Sequence, residues 1–200
     1  MIPVSLSDES PEFDDFMERI RRGDAAAAEE LVRRYESLIR REVRMNLTDR
    51  RLGRLFDSMD VCQSVMASFF IRAAAGQFDL RNPTQLVRLL VEMAQHKLAS
   101  AARRQYRQRR DTRRLSRRAG DALDGAAAAG PGPAEIVAGE ELLKRFRQCL
   151  SAEERQLADW RSNGVPWAEI ASRLGGTPGS RRLQLLRAVN RATQQLGLED

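Results

Sequence analysis

Nine arginines crowd the stretch RRQYRQRRDTRRLSRR, residues 103–118, against a single acid, Asp111. That stretch carries +8 while the whole chain carries +6, so all other residues together sum to about −2. The positive charge is therefore one stripe, and it extends the C-terminal end of an apolar helical pattern. A concentrated guanidinium field on a rigid element suits a phosphate backbone. A planar guanidinium also stacks on bases and grips phosphate through two parallel bonds, which an ammonium does not. The competing reading is a solvated charge run or tail. A second DNA-type pattern further along the chain favours nucleic acid.

That second pattern lies near the C-terminus. Pro166 starts a short helix, WAEIASRL, and Gly175-Gly176 ends it. Thr177-Pro178 opens a longer helix, GSRRLQLLRAVNRATQQL, whose first turns are polar and basic. A short helix, a glycine turn and a second helix form a helix-turn-helix. Its second helix would enter the major groove with its N-terminus leading. A plain helical hairpin is the alternative from pattern alone.

Catalytic chemistry finds no such support. His96 stands alone, and Cys62 and Cys149 lie far apart on apolar helical faces, so no zinc-type ligand spacing exists. A phosphate-binding Walker loop, a GxSxG elbow and an HExxH pair are all absent from the sequence. No cofactor is expected. The cysteines read as buried thiols in a reducing, cytoplasmic compartment. No uncharged stretch is long enough to span a membrane, and the acidic N-terminus is no secretory signal.

The elements that must position these groups are helical. Ala, Leu, Arg, Glu and Gln abound while β-branched residues are scarce. Ser10-Pro11 opens a first helix carrying Phe13, Phe16, Met17 and Ile20; Gly23 stops it and Asp24 caps the next. The second runs through Leu31, Tyr35, Leu38, Ile39 and Val43. A polar stretch at 46–57 separates it from a third helix over about 58–75, with Val61, Val65, Phe69 and Ala73 in one stripe widened by Cys62 and Met66. Gly76 is the expected C′ residue. Asn82-Pro83 opens a fourth helix whose Leu86, Leu89, Leu90, Met93, Ala94 and Leu98 face the core and whose basic end then projects into solvent. In the C-terminal part, 135–149 forms one helix, and Ser151 with Glu154 makes a capping box for the next.

Residues 119–134, AGDALDGAAAAGPGPA, read as a flexible linker. The expected fold class is all-α: one helical domain at 10–118, the linker at 119–134 and a second helical domain at 135–198. A tether of that kind cannot fix the distance between two domains; if both bind DNA at a set spacing, something else must hold them.

Together these segments resemble the extracytoplasmic-function sigma factors of bacterial RNA polymerase, over about residues 12–198. MDVCQSVMASFF, 59–70, resembles the family's helix for docking on core polymerase, with Asp60 and Gln63 matching its usual acid and amide and Ser64 standing where an acid is usual. LVRLLVEMAQHKLASAARRQYRQRR, 86–110, resembles the helix that opens and reads the −10 element; His96 stands where Asn is common and Leu89 where an aromatic is common. LSAEERQLADWRSNGVPWAEIASRLGGTPGSRRLQLLRA resembles the −35-binding domain. Arg181 takes a position usually held by an apolar residue, and Leu183 and Leu186 stand where polar residues are more usual.

The resemblance implies a non-enzymatic transcription initiation factor. Its partners would be core RNA polymerase and promoter DNA, with control by a separate regulator such as an anti-sigma factor and no membrane insertion. It assigns polymerase docking to Asp60, Gln63 and Ser64, and −10 binding to Gln95, His96, Lys97, Arg103, Arg104 and Arg107. The −35 set is Thr177, Ser180, Arg181, Arg182, Gln184 and Arg187, with Arg181 open between facing DNA and facing the domain interior. By the same analogy GQFDLRNP, 76–83, would hold a flipped base. A stand-alone helix-turn-helix regulator is the alternative function, and it leaves the third helix and the basic fourth helix without a task. An RNA-binding helical protein lacks the expected aromatic platforms.

Overall fold

Phe13, Phe16, Met17 and Ile20 recur at helical spacing and become the buried face of the first helix, α1 (Pro11–Arg22). The computed structural model describes residues 11–46, 58–116 and 139–198. Among the described residues the chain is all α. After α1 come α2 (Ala25–Asn46), α3 (Ser58–Ala74), α4 (Pro83–Ser116), α5 (Gly139–Gln148), α6 (Ala152–Ser162), α7 (Trp167–Leu174) and α8 (Pro178–Gln195). The expected linker at 119–134 and the polar stretch after α2 lie outside the described residues.

Local chemistry sets the helix ends. Past α1, the Gly23 amide donates to Ile20 (3.0 Å) and the Asp24 amide to Arg19 (3.1 Å), the paired bonds of a Schellman ending. Asp24 then caps α2, accepting from the amides of Ala26 (2.8 Å) and Ala27 (3.2 Å). The Arg19 guanidinium and these amides hold the Asp24 carboxyl below its ordinary range. Gly76 repeats the ending after α3, donating to Ala73 (2.9 Å) while Gln77 donates to Arg72 (3.0 Å). Its φ of +66° is the left-handed conformation that glycine adopts without cost.

Helices α1 to α4 enclose one core, which includes Ile20, Leu31, Ile39, Val43, Val65, Phe69, Leu86 and Leu90. The six α3 side chains expected in its stripe, Val61, Cys62, Val65, Met66, Phe69 and Ala73, all lie in that core. Burial pushes the Cys62 thiol up to about 12, so it stays protonated and inert at neutral pH. Cys149, by contrast, is only partly buried.

A second core joins α5 to α8 through Phe146, Leu157, Ile170, Leu185, Val189 and Leu198. Three residues of α3 and its end, Ala67, Ile71 and Ala75, belong to this second core. Helix α3 is thus buried on two faces, and the C-terminal half of the chain is packed on the second. The holding element that a tether alone does not supply is α3.

The closest approach to backbone falls at Gly76. A Cβ there would lie 2.5 Å from the Arg161 carbonyl carbon and 2.7 Å from the Ser162 amide nitrogen, both backbone atoms. Gly76→Ala therefore meets both a conformational penalty and a backbone clash. It should lower the free energy of unfolding by at least about 1–2 kcal/mol, read from urea denaturation; a neutral result would contradict the docked arrangement of the two halves.

The expected capping box forms at the start of α6. Ser151 Oγ accepts from the Glu154 amide (3.3 Å) and Glu154 Oε2 accepts from the Ser151 amide (2.9 Å). Burial works against ionising Glu154. The Arg191 guanidinium at 2.7 Å and the Ser151 amide outweigh it and hold the carboxyl below its ordinary range. A carboxyl depressed in the folded state contributes stability that is complete above its unfolded pKa and is lost as pH falls through its folded value. Thermal melts of the wild type and Glu154→Gln should therefore differ at neutral pH and converge in acid, and a difference that grew in acid would reverse this assignment.

Candidate nucleic-acid and partner interfaces

The longest element carries the first interface. At 34 residues α4 extends about 51 Å, and it runs as one helix through the start of the arginine stripe to Ser116. Arg103, Arg104 and Arg107 are exposed, as are Gln95 and His96. His96, Ser100, Arg103 and Arg107 share one face by their spacing, and Arg103 donates to Ser100 Oγ at 2.9 Å. Gln95 reaches across to Glu42 of α2 at 3.3 Å.

Lys97 departs from the expectation. Only 6% of it is exposed, and its ammonium donates to the Leu198 carbonyl at 3.0 Å. Ser68 Oγ donates to the same oxygen at 2.9 Å. The carbonyl lies just beyond the C-terminal end of α8, where the helix dipole favours a cation. Lys97 binds the C-terminal half here and is not presented to DNA.

The second interface is the N-terminal part of α3. Asp60 is exposed and Ser64 half-buried. Gln63 is not on the surface as expected: it is 9% exposed, and its Oε1 is buried without a hydrogen-bond partner. Asp60, Gln63, Ser64, Ala67 and Ile71 follow i, i+3, i+4, i+7 and i+11 and so share one helical face. The lower part of that face carries Ala67 and Ile71, packed in the C-terminal core.

The third interface is the helix-turn-helix. Helix α7 ends at Gly175, and Gly175 (φ +77°) and Gly176 (φ +82°) make the turn. Thr177 caps α8, its Oγ1 accepting from the Ser180 amide (3.1 Å) while Ser180 Oγ accepts from the Thr177 amide (3.0 Å). This reciprocal box occupies the two hydroxyls assigned to the DNA backbone. Ile170 of α7 is buried in the same core as Leu185 and Ala188 of α8, which fixes the angle of the motif. Arg182 and Arg187 are exposed. So are Leu183 and Leu186, at 43% and 42%.

Arg181 faces the domain. Its Nε donates to the Gly175 carbonyl (2.9 Å), Nη2 to the Leu174 carbonyl (2.6 Å), and Nη1 to Gln184 Oε1 (2.8 Å) and to Glu153. It caps the C-terminal end of α7 and ties α8 to the start of α6. Gln184 is drawn into the same network through Glu153 (3.3 Å). Gln184 was expected to reach DNA and Arg181 was open between DNA and the interior; both are committed within the domain. An arginine fills this normally apolar position because the exposed carbonyls of a helix end lie within its reach.

Two clefts flank the contact of Gly76 with Arg161. One, about 550 Å³, is lined by Glu18, Arg21, Phe78, Asp79 and Arg161 among others. The second, about 460 Å³, is lined by Arg72, Phe78, Trp167, Arg182 and Leu186 among others. Within the 76–83 segment assigned to a flipped base, Phe78 stacks on Phe69 with ring centres 5.5 Å apart. Arg161 lies over the Trp167 ring at 4.8 Å. Burial, together with repulsion from Arg182 and Arg21, lowers the Arg161 pKa against the pull of Asp79. Among the described residues no three His, Cys, Asp or Glu side chains gather into a metal site, and no helix is long and apolar enough to cross a membrane.

Sequence reasoning missed Ser68, Arg72 and Asn190, which join the halves. Arg72 Nη1 donates to Asn190 Oδ1 at 2.8 Å. A signal was present in α3, whose apolar residues surround the helix, as expected of one covered on more than one side.

The sequence model described as ECF sigma factor matches residues 10–196 of this chain. No curated protein matches it.

Arg181→Val tests the inward placement. Loss of the α7 cap should lower stability by about 1–2 kcal/mol while changing duplex affinity little. A stabilised variant, or one with intact stability and weakened duplex binding, would refute the assignment.

Proposed function

The chain belongs to the ECF sigma factor family, whose members are transcription initiation factors and not enzymes, and we propose that it directs core RNA polymerase to promoters by dividing the work between its two halves. Residues 10–118 dock on polymerase through the Asp60–Ser64 turn of α3 and engage the −10 region. Residues 135–198 read −35 DNA through α8. The observation that carries this reading is the continuous α4, which places the exposed Arg103, Arg104 and Arg107 on a rigid arm beyond the α1–α4 core. A stand-alone regulator would use α8 and leave that arm unexplained.

Opening a duplex costs a few kcal/mol for each base unstacked. Guanidinium groups on the arm offset this by holding phosphates of the displaced strand and by stacking on its bases. Base preference then falls to the exposed side chains of α8. Arg182 and Arg187 supply phosphate or guanine contacts, and Leu183 and Leu186 suit the methyl groups of thymine. Thr177 and Ser180 serve by fixing the N-terminus of α8, whose remaining amides favour a phosphate.

Transcription in vitro with core polymerase tests the proposal directly: the chain should confer promoter-specific starts that core enzyme alone does not make. Replacing Arg103 and Arg104 by Ala should flatten the dependence of log K on log salt. The change should be about 0.9 per lost phosphate contact on duplex, or about 0.7 on single strands. The loss should be similar across −35 variants. A loss confined to particular −35 sequences would move these arginines from backbone binding to base reading.

A further inference from the structure

The face of α3 that begins with Asp60 continues into the C-terminal core. Ala67 and Ile71, one and two turns beyond Asp60 and Ser64, are 7% and 0% exposed there. Three separate contacts reinforce the packing. Ser68 and Lys97 both donate to the Leu198 carbonyl. Arg72 pairs with Asn190. Leu143 of α5 packs on the N-terminal core beside Gly23.

The same contacts border the proposed DNA-reading face, where Arg182 and Leu186 remain exposed to solvent. Arg182, Leu186 and Asn190 follow i, i+4 and i+8 along α8. Arg182 and Leu186 line the cleft that also contains Arg72 and Phe78 of the N-terminal half. A B-DNA major groove is about 12 Å wide and admits a whole helix, so a duplex and the N-terminal half cannot occupy this side of α8 together.

We propose that the docked C-terminal half competes with the chain's own partners, covering the polymerase-facing side of α3 while α3 and its following loop crowd the approach to the exposed reading face of α8. The inference rests on the polymerase-docking role given to α3 above. Binding of polymerase then requires the halves to part, which exposes Ala67, Ile71 and Lys97 and clears the approach of a duplex to Arg182 and Leu186. Only the open fraction binds, so the apparent dissociation constant exceeds the intrinsic one by the reciprocal of that fraction. The regulator is the second half of the same chain.

The interface is built to part. Glycine and alanine supply the close approaches, at Gly23, Ala67, Ala75 and Gly76. Gln63 Oε1 lacks a partner in the docked state, and opening gives it water or a polymerase donor.

Leu143→Asp probes the closed state from the C-terminal half, at a residue outside every proposed polymerase or DNA contact. Asn190→Lys, set against Arg72, weakens the interface at a second place. Full-length wild type, each variant and the double variant are compared by small-angle X-ray scattering and by affinity for core polymerase, after circular dichroism has checked helicity. The expected result is a compact wild type, an expanded double variant and polymerase affinity rising about tenfold on opening. An expanded variant that binds polymerase no better than wild type overturns the competition while leaving the docking role standing. A wild type as extended as the variants also overturns it. If neither wild type nor variants bind polymerase, the docking role fails, and the competition fails with it.

Discussion

Helix α3 has apolar or small side chains around most of its circumference, and a helix of that kind cannot be left with one face in water. Burying Val65, Met66 and Phe69 needs α1, α2 and α4. Burying Ala67, Ile71 and Ala75 needs a second layer, and α5 to α8 supply it. Each fully buried aliphatic side chain contributes on the order of 1.5–3 kcal/mol relative to exposure. Ile71 alone therefore makes separation of the halves a matter of a few kcal/mol unless a partner covers it. The rest of the architecture follows. The glycine endings at Gly23 and Gly76 let the second layer approach, and Lys97 and Ser68 satisfy the Leu198 carbonyl at the seam.

Most of the fold was legible because it depends on local rules. Apolar spacing located the core faces of α1, α2 and α4, and Ser151 with Glu154 announced the start of α6. Gly175, Gly176, Thr177 and Pro178 marked the turn into α8. The α3 stripe was also read correctly, as far as it went. What escaped was the opposite face, because alanine and serine carry little periodic signal: Ala67, Ser68 and Ala75 look neutral in sequence and become informative only when another backbone comes close.

The candidate sites were legible to a different degree. The exposed set Arg103, Arg104, Arg107, Arg182 and Arg187 follows from charge and helical phase. Lys97, Gln63 and Gln184 departed from expectation, and Arg181 took the inward of its two open placements, for one shared reason. Each has a polar partner, or a cover, far away in sequence: the Leu198 carbonyl for Lys97, and Glu153 with the end of α7 for Arg181 and Gln184. A long polar side chain on a surface helix reads as available until the groups within its reach are known. Arg181 shows the point most directly. A position that favours an apolar residue accepts a guanidinium because two carbonyls at the end of α7 receive it, so the fold keeps the geometry while changing the chemistry.

The energetics of the seam differ in kind from those of either core. The N-terminal core is rich in Phe, Ile and Leu, whereas the side chains that α3 gives to the seam are mostly small. Small residues permit close approach but remove little apolar area from water, so their contribution per residue is low. The polar contacts at the seam are single hydrogen bonds, each with a modest net effect because water replaces them on opening. Against them stands an unpartnered Gln63 oxygen. An interface with these components holds its two halves in register yet yields to a partner that offers Ile71 an equivalent apolar cover. That balance is what a protein needs if the same helix is to serve first as part of its own interior and then as the surface it gives away.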